Sequence, residues 1–362
     1  MKSVLIGVGQ AGGKLAEALA DFDSRSSFGA VLDAIAVNSA EADLRDRSLD
    51  SVLVGQSRVN GHGVGGDNEL GTEVMQADAD EVLGALDGRV TARTEAIVLV
   101  AGLGGGTGSG GAPVLAKELK RVYDRPVYAL GVLPGRDEGA MYQVNAGRSL
   151  KTLSREADAV LLVDNDAWRS TGESVAAGYE EINEAIARRV GLLLASGEAV
   201  EGVGESVVDS SEILKTLENG TIAAVGYASA AAAPEAGENV STVTSVTRQA
   251  VHTGTSLPDA VDAGAALLVV AGRPEAISRK GVERARKWVE TETGCMRVRG
   301  GDFPLDSDRL AALVVLAGLE NSDRVQQFLD RAREATAEAE SVEAERPDST
   351  DVWQNDEIDD LL

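Results

Sequence analysis

The strongest constraint on this chain is the run GGGTGSG at residues 104–110. It holds five glycines in seven positions, set between a continuous apolar stretch at 96–101 and a segment of helical spacing at 112–123. Flexible linkers are rarely clamped between a strand and a helix without spacers. Successive main-chain N–H groups in such a turn can face one point and form a concave anion site, with the hydroxyls of Thr107 and Ser109 as further donors. No GK[ST] follows the glycines, which excludes the P-loop mechanism. The loop therefore predicts an α/β sheet in which a helix opens at the carboxyl end of a strand.

The surrounding sequence supplies that sheet. Residues 2–7 are a short apolar run, 11–21 have helical spacing, 31–37 are β-like, and 127–133 and 159–163 are further strands. Strands followed repeatedly by helices predict a doubly wound parallel sheet covered on both faces. Residues 173–196 read as one long helix, with Val175, Ile182, Ile186, Val190 and Leu193 at helical intervals. Strand candidates at 222–228, 265–271, 296–298 and 313–316, separated by helical stretches such as 275–290, predict a smaller α+β domain beyond it. The expected organisation is a nucleotide-binding domain at 1–172, a central linking helix at 173–197, a C-terminal domain at 198–330 and an acidic tail at 331–362. The tail is poor in large apolar residues and predicts disorder. Its end, DVWQNDEIDDLL, sets Val352, Trp353, Ile358, Leu361 and Leu362 among acids, as in a segment that folds onto a protein partner. A merely sticky terminus fits those residues equally well.

Charge decides how an anion could be held. Thirty-four basic against fifty-nine acidic residues give a formal charge of −25, and only eight of the bases are lysines. Nucleic acid is excluded as a partner because a polyanion needs a basic patch. Phosphates would have to be met by main-chain amides. Acid-rich, lysine-poor surfaces suit concentrated salt, where screening removes self-repulsion, so a halophilic setting is expected. One cysteine, Cys295, precludes an internal disulfide, and two histidines, His62 and His252, cannot build a His-rich metal site. No stretch approaches the ~18 uninterrupted apolar residues of a membrane helix, and the N-terminus reads as a strand, so a cytoplasmic location is expected.

Two further glycine segments bear on the ligand. GVGQAGGK at 7–14 lies between the opening strand and helix, and Gly7, Gly9 and Gly12 match G-x-G-x-x-G, so a dinucleotide site must be weighed. That site wants an acid at the tip of the second strand. Asn38 stands there, although Asp33 earlier in the strand keeps the alternative open. The third segment, residues 61–71, could close over a terminal phosphate through Gly65 and Gly66, while a mobile surface loop fits its composition nearly as well. Three phosphate-suited turns on one sheet favour a mononucleotide.

GQAGGK, GGGTGSG and LVDNDA at 162–167, in this order and spacing, resemble the tubulin and FtsZ superfamily of GTPases, and GQAG followed by lysine in so acidic a chain is most similar to its haloarchaeal CetZ branch. The resemblance covers about residues 1–318. It implies a doubly wound GTPase domain, a long central helix and a smaller C-terminal domain, with GTP or GDP as ligand. It further implies that Gln10, Ala11, Gly12, Gly13 and Lys14 hold the α- and β-phosphates, and that Gly104, Gly105, Gly106, Thr107, Gly108 and Ser109 hold the phosphate chain. Glu138 and Asn165 fall at ribose positions. Tyr179 and Asn183, four apart on the long helix, suit a ring stacked on guanine and an amide reading its edge.

The same resemblance implies hydrolysis completed by the next copy. ESVVDSSEILKTL at 205–217 puts Asp209 and Glu212 at the two acidic positions, which also fit a helix cap and capping box. Val207 stands where the family usually has Asn. The implied partner is the chain itself in a head-to-tail homopolymer serving cell shape; magnesium held by phosphates and water fits beside the nucleotide, and the residues leave open whether protein groups also hold it. Two alternatives stay open on the residues alone: a GTP-binding regulator that does not polymerise, and an NAD-dependent oxidoreductase.

Overall fold

The opening apolar run becomes β1 (Ser3–Val8), every residue of it buried, as a strand covered on both faces must be. Residues 1–167, 175–198, 207–258, 262–319 and 322–344 are described in this computed structural model. After β1 follow α1 (Gly9–Ser26), β2 (Val31–Asn38), α2 (Glu41–Arg45), β3 (Asp50–Leu53), α3 (Gln56–Val59), α4 (Asn68–Ala85), β4 (Ala96–Gly102), α5 (Gly106–Val122), β5 (Val127–Leu133), α6 (Ala140–Glu156) and β6 (Ala159–Asp164). The second half holds α7 (Val175–Ser196), α8 (Ser210–Leu217), β7 (Ile222–Ala231), α9 (Val240–His252), β8 (Ala265–Gly272), α10 (Arg279–Thr293), β9 (Val298–Pro304), β10 (Arg309–Ala317) and α11 (Asp323–Ala344).

All ten strands join one sheet in the order β3-β2-β1-β4-β5-β6-β7-β10-β8-β9. The pairs from β3 to β7 are parallel, and β10 is antiparallel to both β7 and β8. Strand order reverses between β1 and β4, so the loops after these two strands leave toward opposite faces and open a crevice at their carboxyl ends. One apolar layer, with Leu115, Leu150, Val246, Val289 and Phe328, covers one face. A second, with Leu15, Leu19, Ile186, Leu193 and Ile213, covers the other. On α7, Arg189 donates to the Gly254 carbonyl at 3.3 Å and stands over the Tyr227 ring, tying the helix to the second half. Burial draws its pKa down to about 10, so it stays charged at neutral pH.

Four expectations are corrected. Helix α5 begins at Gly106, inside the glycine signature, so much of that run is a helical turn rather than loop. Helix α4 begins at Asn68 within the third glycine segment, because the Asp67 side chain caps it by accepting from the Glu69 and Leu70 N–H groups. The strand expected at 296–298 runs instead over Val298–Pro304. Its polar sequence hides it, and parallel pairing with β8 creates it. The segment expected to be disordered from residue 331 is helical to Ala344: Val325, Phe328 and Ala332 recur on one face and bury against α6, and an alanine- and glutamate-rich helix continues from there. The terminal motif with Val352, Trp353, Ile358, Leu361 and Leu362 lies outside the described residues, as does Glu173 at the expected start of the long helix.

Candidate functional site

Helices α1 and α5 open beside each other at the β1/β4 crevice, and their backbones interlock. A Cβ on Gly9 would lie 2.9 Å from the Gly108 nitrogen, and one on Gly12 would lie 2.1 Å from the Val100 carbonyl oxygen. The loop before α4 joins them, since a Cβ on Gly106 would press on Val64 and Asp67, and one on Gly110 on the Asn68 carbonyl. Most signature glycines therefore serve close approach of backbones. Gly105 and Gly65 differ: a Cβ on either would meet nothing within 4 Å. The open side of the crevice is there.

Neither α1 nor α5 carries a side-chain cap or an acid in its first turn, in contrast to α4 with Asp67. The N–H groups of Gly9, Gln10 and Ala11 and of Gly106, Thr107 and Gly108 precede the first intrahelical acceptor in each helix, so they are left for an external oxygen. The positive ends of both helix dipoles add to this. The Thr107 and Ser109 hydroxyls, expected as extra donors, have partners within the protein. Thr107 Oγ1 bonds Ser39 Oγ at 2.7 Å; Ser109 Oγ accepts from Asn68 Nδ2 at 2.8 Å and donates to the Gly105 and Gly106 carbonyls. Gln10 Nε2 and Asn38 Nδ2 both donate to Asp43, at 2.8 and 3.0 Å. Lys14 is exposed, one turn beyond Gln10 on the same side of α1.

The sequence reading missed the residues that hold these loops. Asn145 of α6, buried, donates from Nδ2 to the Gly66 carbonyl at 2.7 Å and the Gly104 carbonyl at 2.9 Å, so one amide fastens two glycine loops. Asp43 and Asn68 do similar work. Nothing in the sequence flags them, because their partners, the Gly66 and Gly104 carbonyls for Asn145 and the Gln10, Asn38 and Ser109 side chains for Asp43 and Asn68, come together only in three dimensions. Asn145→Ala leaves two carbonyls short of a donor. It should cost about 1–3 kcal/mol of unfolding free energy and speed nucleotide release, measured by urea denaturation and by stopped-flow displacement of a fluorescent nucleotide.

The expected sugar and base residues gather at the same end of the sheet. Glu138 Oε1 accepts from the Gly135 N–H at 2.7 Å and from the Tyr179 hydroxyl at 3.4 Å, which joins the loop after β5 to the start of α7. Asn165 directly follows β6 and is buried. Asn183 is half-buried, one turn along α7 from Tyr179. Asp33 is removed from any ribose role, because it sits early in β2 and pairs with Arg89 at 2.9 Å.

Asp209 and Glu212 lie at the opposite pole. Asp209 caps α8, accepting from the Glu212 N–H at 3.1 Å, and Ser210 Oγ donates to Glu95 at 2.6 Å. Glu95 also accepts from the Lys2 N–H at 2.7 Å, so α8 opens beside the amino ends of β1 and β4. Six residues of β1 separate that end from the crevice, about 20 Å. Helix α7 runs the same way, and about 25 Å separates Tyr179 from Ser196 at 1.5 Å per residue. No mononucleotide spans both poles. A hydrogen bond from Ser211, with those from the Ser211 and Glu212 backbone and the charge of Lys215, holds the Asp209 carboxyl below its ordinary pKa. Val207 bridges in parallel to Asp302, and the Val208 N–H donates to the Asp302 carbonyl at 3.3 Å, so main-chain pairing ties the start of this segment to β9.

Residues 2–173 match the family model of the Tubulin/FtsZ family GTPase domain, and residues 172–334 that of the tubulin-like CetZ C-terminal domain. Tubulin-like protein CetZ2 of Haloferax volcanii is 68% identical over 362 residues, 100% of both chains, and CetZ1 of the same organism is 48% identical over 94% of each. Among solved structures, a GTPγS-bound protofilament of Haloferax volcanii CetZ2 superimposes with a TM-score of 0.91 at 68% identity, covering 94% of this chain and 100% of that one. A GDP-bound monomer of Haloferax volcanii CetZ1 superimposes with a TM-score of 0.86 at 49% identity, covering 93% and 100%. With two family models meeting at the start of the central helix and identity of this extent, the chain belongs to the tubulin/FtsZ family, in its haloarchaeal CetZ branch.

Proposed function

We propose that this chain binds GTP in the β1/β4 crevice and stacks head to tail, so that the phosphates held by one copy meet Asp209 and Glu212 of the next. The observation that carries the reading is the placement of the two halves of the site at opposite poles of one molecule. Such a contact is heterologous and propagates as a filament, the kind of polymer that serves cell shape. The GTPγS-bound protofilament of the 68% identical relative and the GDP-bound monomer of the 49% identical one support it.

In this reading the uncapped N–H groups of α1 and α5 take the phosphate oxygens, with Lys14 at the rim and Gly65 and Gly66 closing over the terminal phosphate. Glu138 and Asn165 take the ribose, and Tyr179 and Asn183 the guanine. Hydrolysis forms a bond from a water oxygen to the γ-phosphorus as the β,γ-bridging bond breaks, releasing GDP and phosphate; the water proton ends on phosphate or solvent. Placement and charge stabilisation supply most of such a step. Asp209 is a weak base with its lowered pKa, so its part is to orient the water. Magnesium would be held by the phosphates and water, where it would neutralise developing charge.

Because the folded-state pKa of Asp209 is depressed, the stability its carboxylate confers is present above the ordinary carboxylate range and is lost only as pH falls through the lowered value. The Asp209 contribution to turnover should therefore be flat from about pH 5 to 8, measured as the ratio of wild-type to Asp209→Asn rates across that range. A ratio that climbs through pH 6–7 would make Asp209 a proton acceptor instead. Val207 favours one second reading, a GTP-binding regulator that does not polymerise. GTPase rate against protein concentration in molar KCl separates the two: turnover per molecule rises with concentration if the site is shared and stays constant for the regulator.

A further inference from the structure

Helix α10 is where this acidic chain concentrates positive charge. It carries Arg279, Lys280, Arg284, Arg286 and Lys287, more basic residues than any other helix or strand described here. Arg279 pairs with Glu283, and Arg286 donates to the Val298 carbonyl at 2.8 Å. Lys280, Arg284 and Lys287 fall at i, i+4 and i+7, one face of the helix, and all three are exposed. Among the described residues none of the three has an ion pair. Beside them, Trp288 is half-buried, with the Arg248 guanidinium of α9 5.4 Å from its ring centre and His252 edge-on at 5.6 Å. Glu283, Glu290 and Glu292 share the helix, the last 3.4 Å from His252, so with Arg248 six bases stand against three acids and the surface is net cationic around a partly exposed indole.

The chain itself holds a segment of complementary chemistry. Residues 345–362 carry seven acids against one arginine, interleaved with Trp353, Ile358, Leu361 and Leu362. Helix α11, which leads into that segment, lies on the same face of the sheet as α10, since Phe328 and Val289 belong to one apolar layer. Strands β6 and β8, beneath α6 and α10, stand three strand spacings apart, about 15 Å. Eighteen residues reach about 25 Å as a coil and about 60 Å extended, so the segment can reach α10 from its own chain. The rest of the surface carries an excess of acid and offers its carboxylates few direct partners.

We propose that residues 345–362 dock on the α10 face of their own chain, with carboxylates against Lys280, Arg284 and Lys287 and apolar side chains against Trp288. The contact is intramolecular and independent of the nucleotide reading. At molar salt, screening over about 3 Å removes long-range attraction but leaves direct pairs and apolar contact in place.

Carbodiimide coupling of the full-length chain in molar KCl, read by mass spectrometry, tests this sharply because the chain has only eight lysines. Carboxylates of residues 348–360 should join Lys280 and Lys287 in preference to the exposed Lys117 and Lys151. Arg284→Glu removes no lysine, yet should lower those links about fivefold, whereas Lys117→Glu should leave them unchanged; the melting temperature of each variant confirms that it is folded. Links spread evenly over exposed lysines, or unaffected by Arg284→Glu, overturn the proposal. So do links that form mainly between isotope-labelled and unlabelled chains, which would put the segment on a neighbouring copy.

Discussion

A Gly105→Leu chain is expected to fold like the wild type and to lose at least about a hundredfold in GTP affinity. Its backbone, at φ −72° and ψ 176°, is extended and open to any residue, and a Cβ there meets nothing within 4 Å. The leucine enters the open side of the crevice, in front of the N–H groups of α5. Blocking even two or three hydrogen bonds to a charged phosphate, at about 1.5–3 kcal/mol each, accounts for the loss. Gly12→Ala is the contrasting case. Its methyl would sit 2.1 Å from the Val100 carbonyl oxygen, backbone against backbone, and should cost about 3 kcal/mol or more of stability. Calorimetric titration and thermal melts of both variants separate the roles. Normal GTP binding by a folded Gly105→Leu chain would put the phosphates elsewhere.

Replacing Asp209 and Glu212 by alanine should lower assembly-dependent hydrolysis by about 10²–10³-fold, the range for removing a group fixed against the reacting atoms, while GTP affinity stays within about twofold. Alanine also removes the cap of α8, a loss of about 1 kcal/mol. The pair Asp209→Asn and Glu212→Gln keeps the hydrogen-bonding shapes and removes only charge. Both versions should be equally slow if charge at the water is what matters. A purified double variant that hydrolyses GTP at the normal rate would contradict the shared site.

The doubly wound sheet could be read from residues because continuous apolar runs such as Ala96–Gly102 are covered on both faces and alternate with amphipathic segments. Strand β9 could not, since Arg299, Gly300, Gly301 and Asp302 take their conformation from β8 rather than from their own preferences. Helix α11 was hidden for a related reason. Phe328 and Ala332 make a narrow apolar stripe that looks solvated until α6, with Gly147 under Ala332, is there to cover it. In the crevice, glycine spacing marked the right loops for a partly mistaken reason: Gly106, Gly108 and Gly110 yield to neighbouring backbone, and only Gly105 and Gly65 face open space. Asn145 and Asp43 left no trace, because a lone polar residue on a helix reads like any other.

The head-to-tail account is tested most directly by mixing two inactive chains. Gly105→Leu keeps Asp209 and Glu212 but cannot hold GTP, and the Asp209→Ala, Glu212→Ala chain holds GTP but lacks the acids. GTPase activity of the mixture should rise well above the sum of the separate chains, because each heterologous contact of the right order joins an intact crevice to an intact acidic pole. Activity that stays at that sum at every ratio and concentration would mean that no copy completes the site of another.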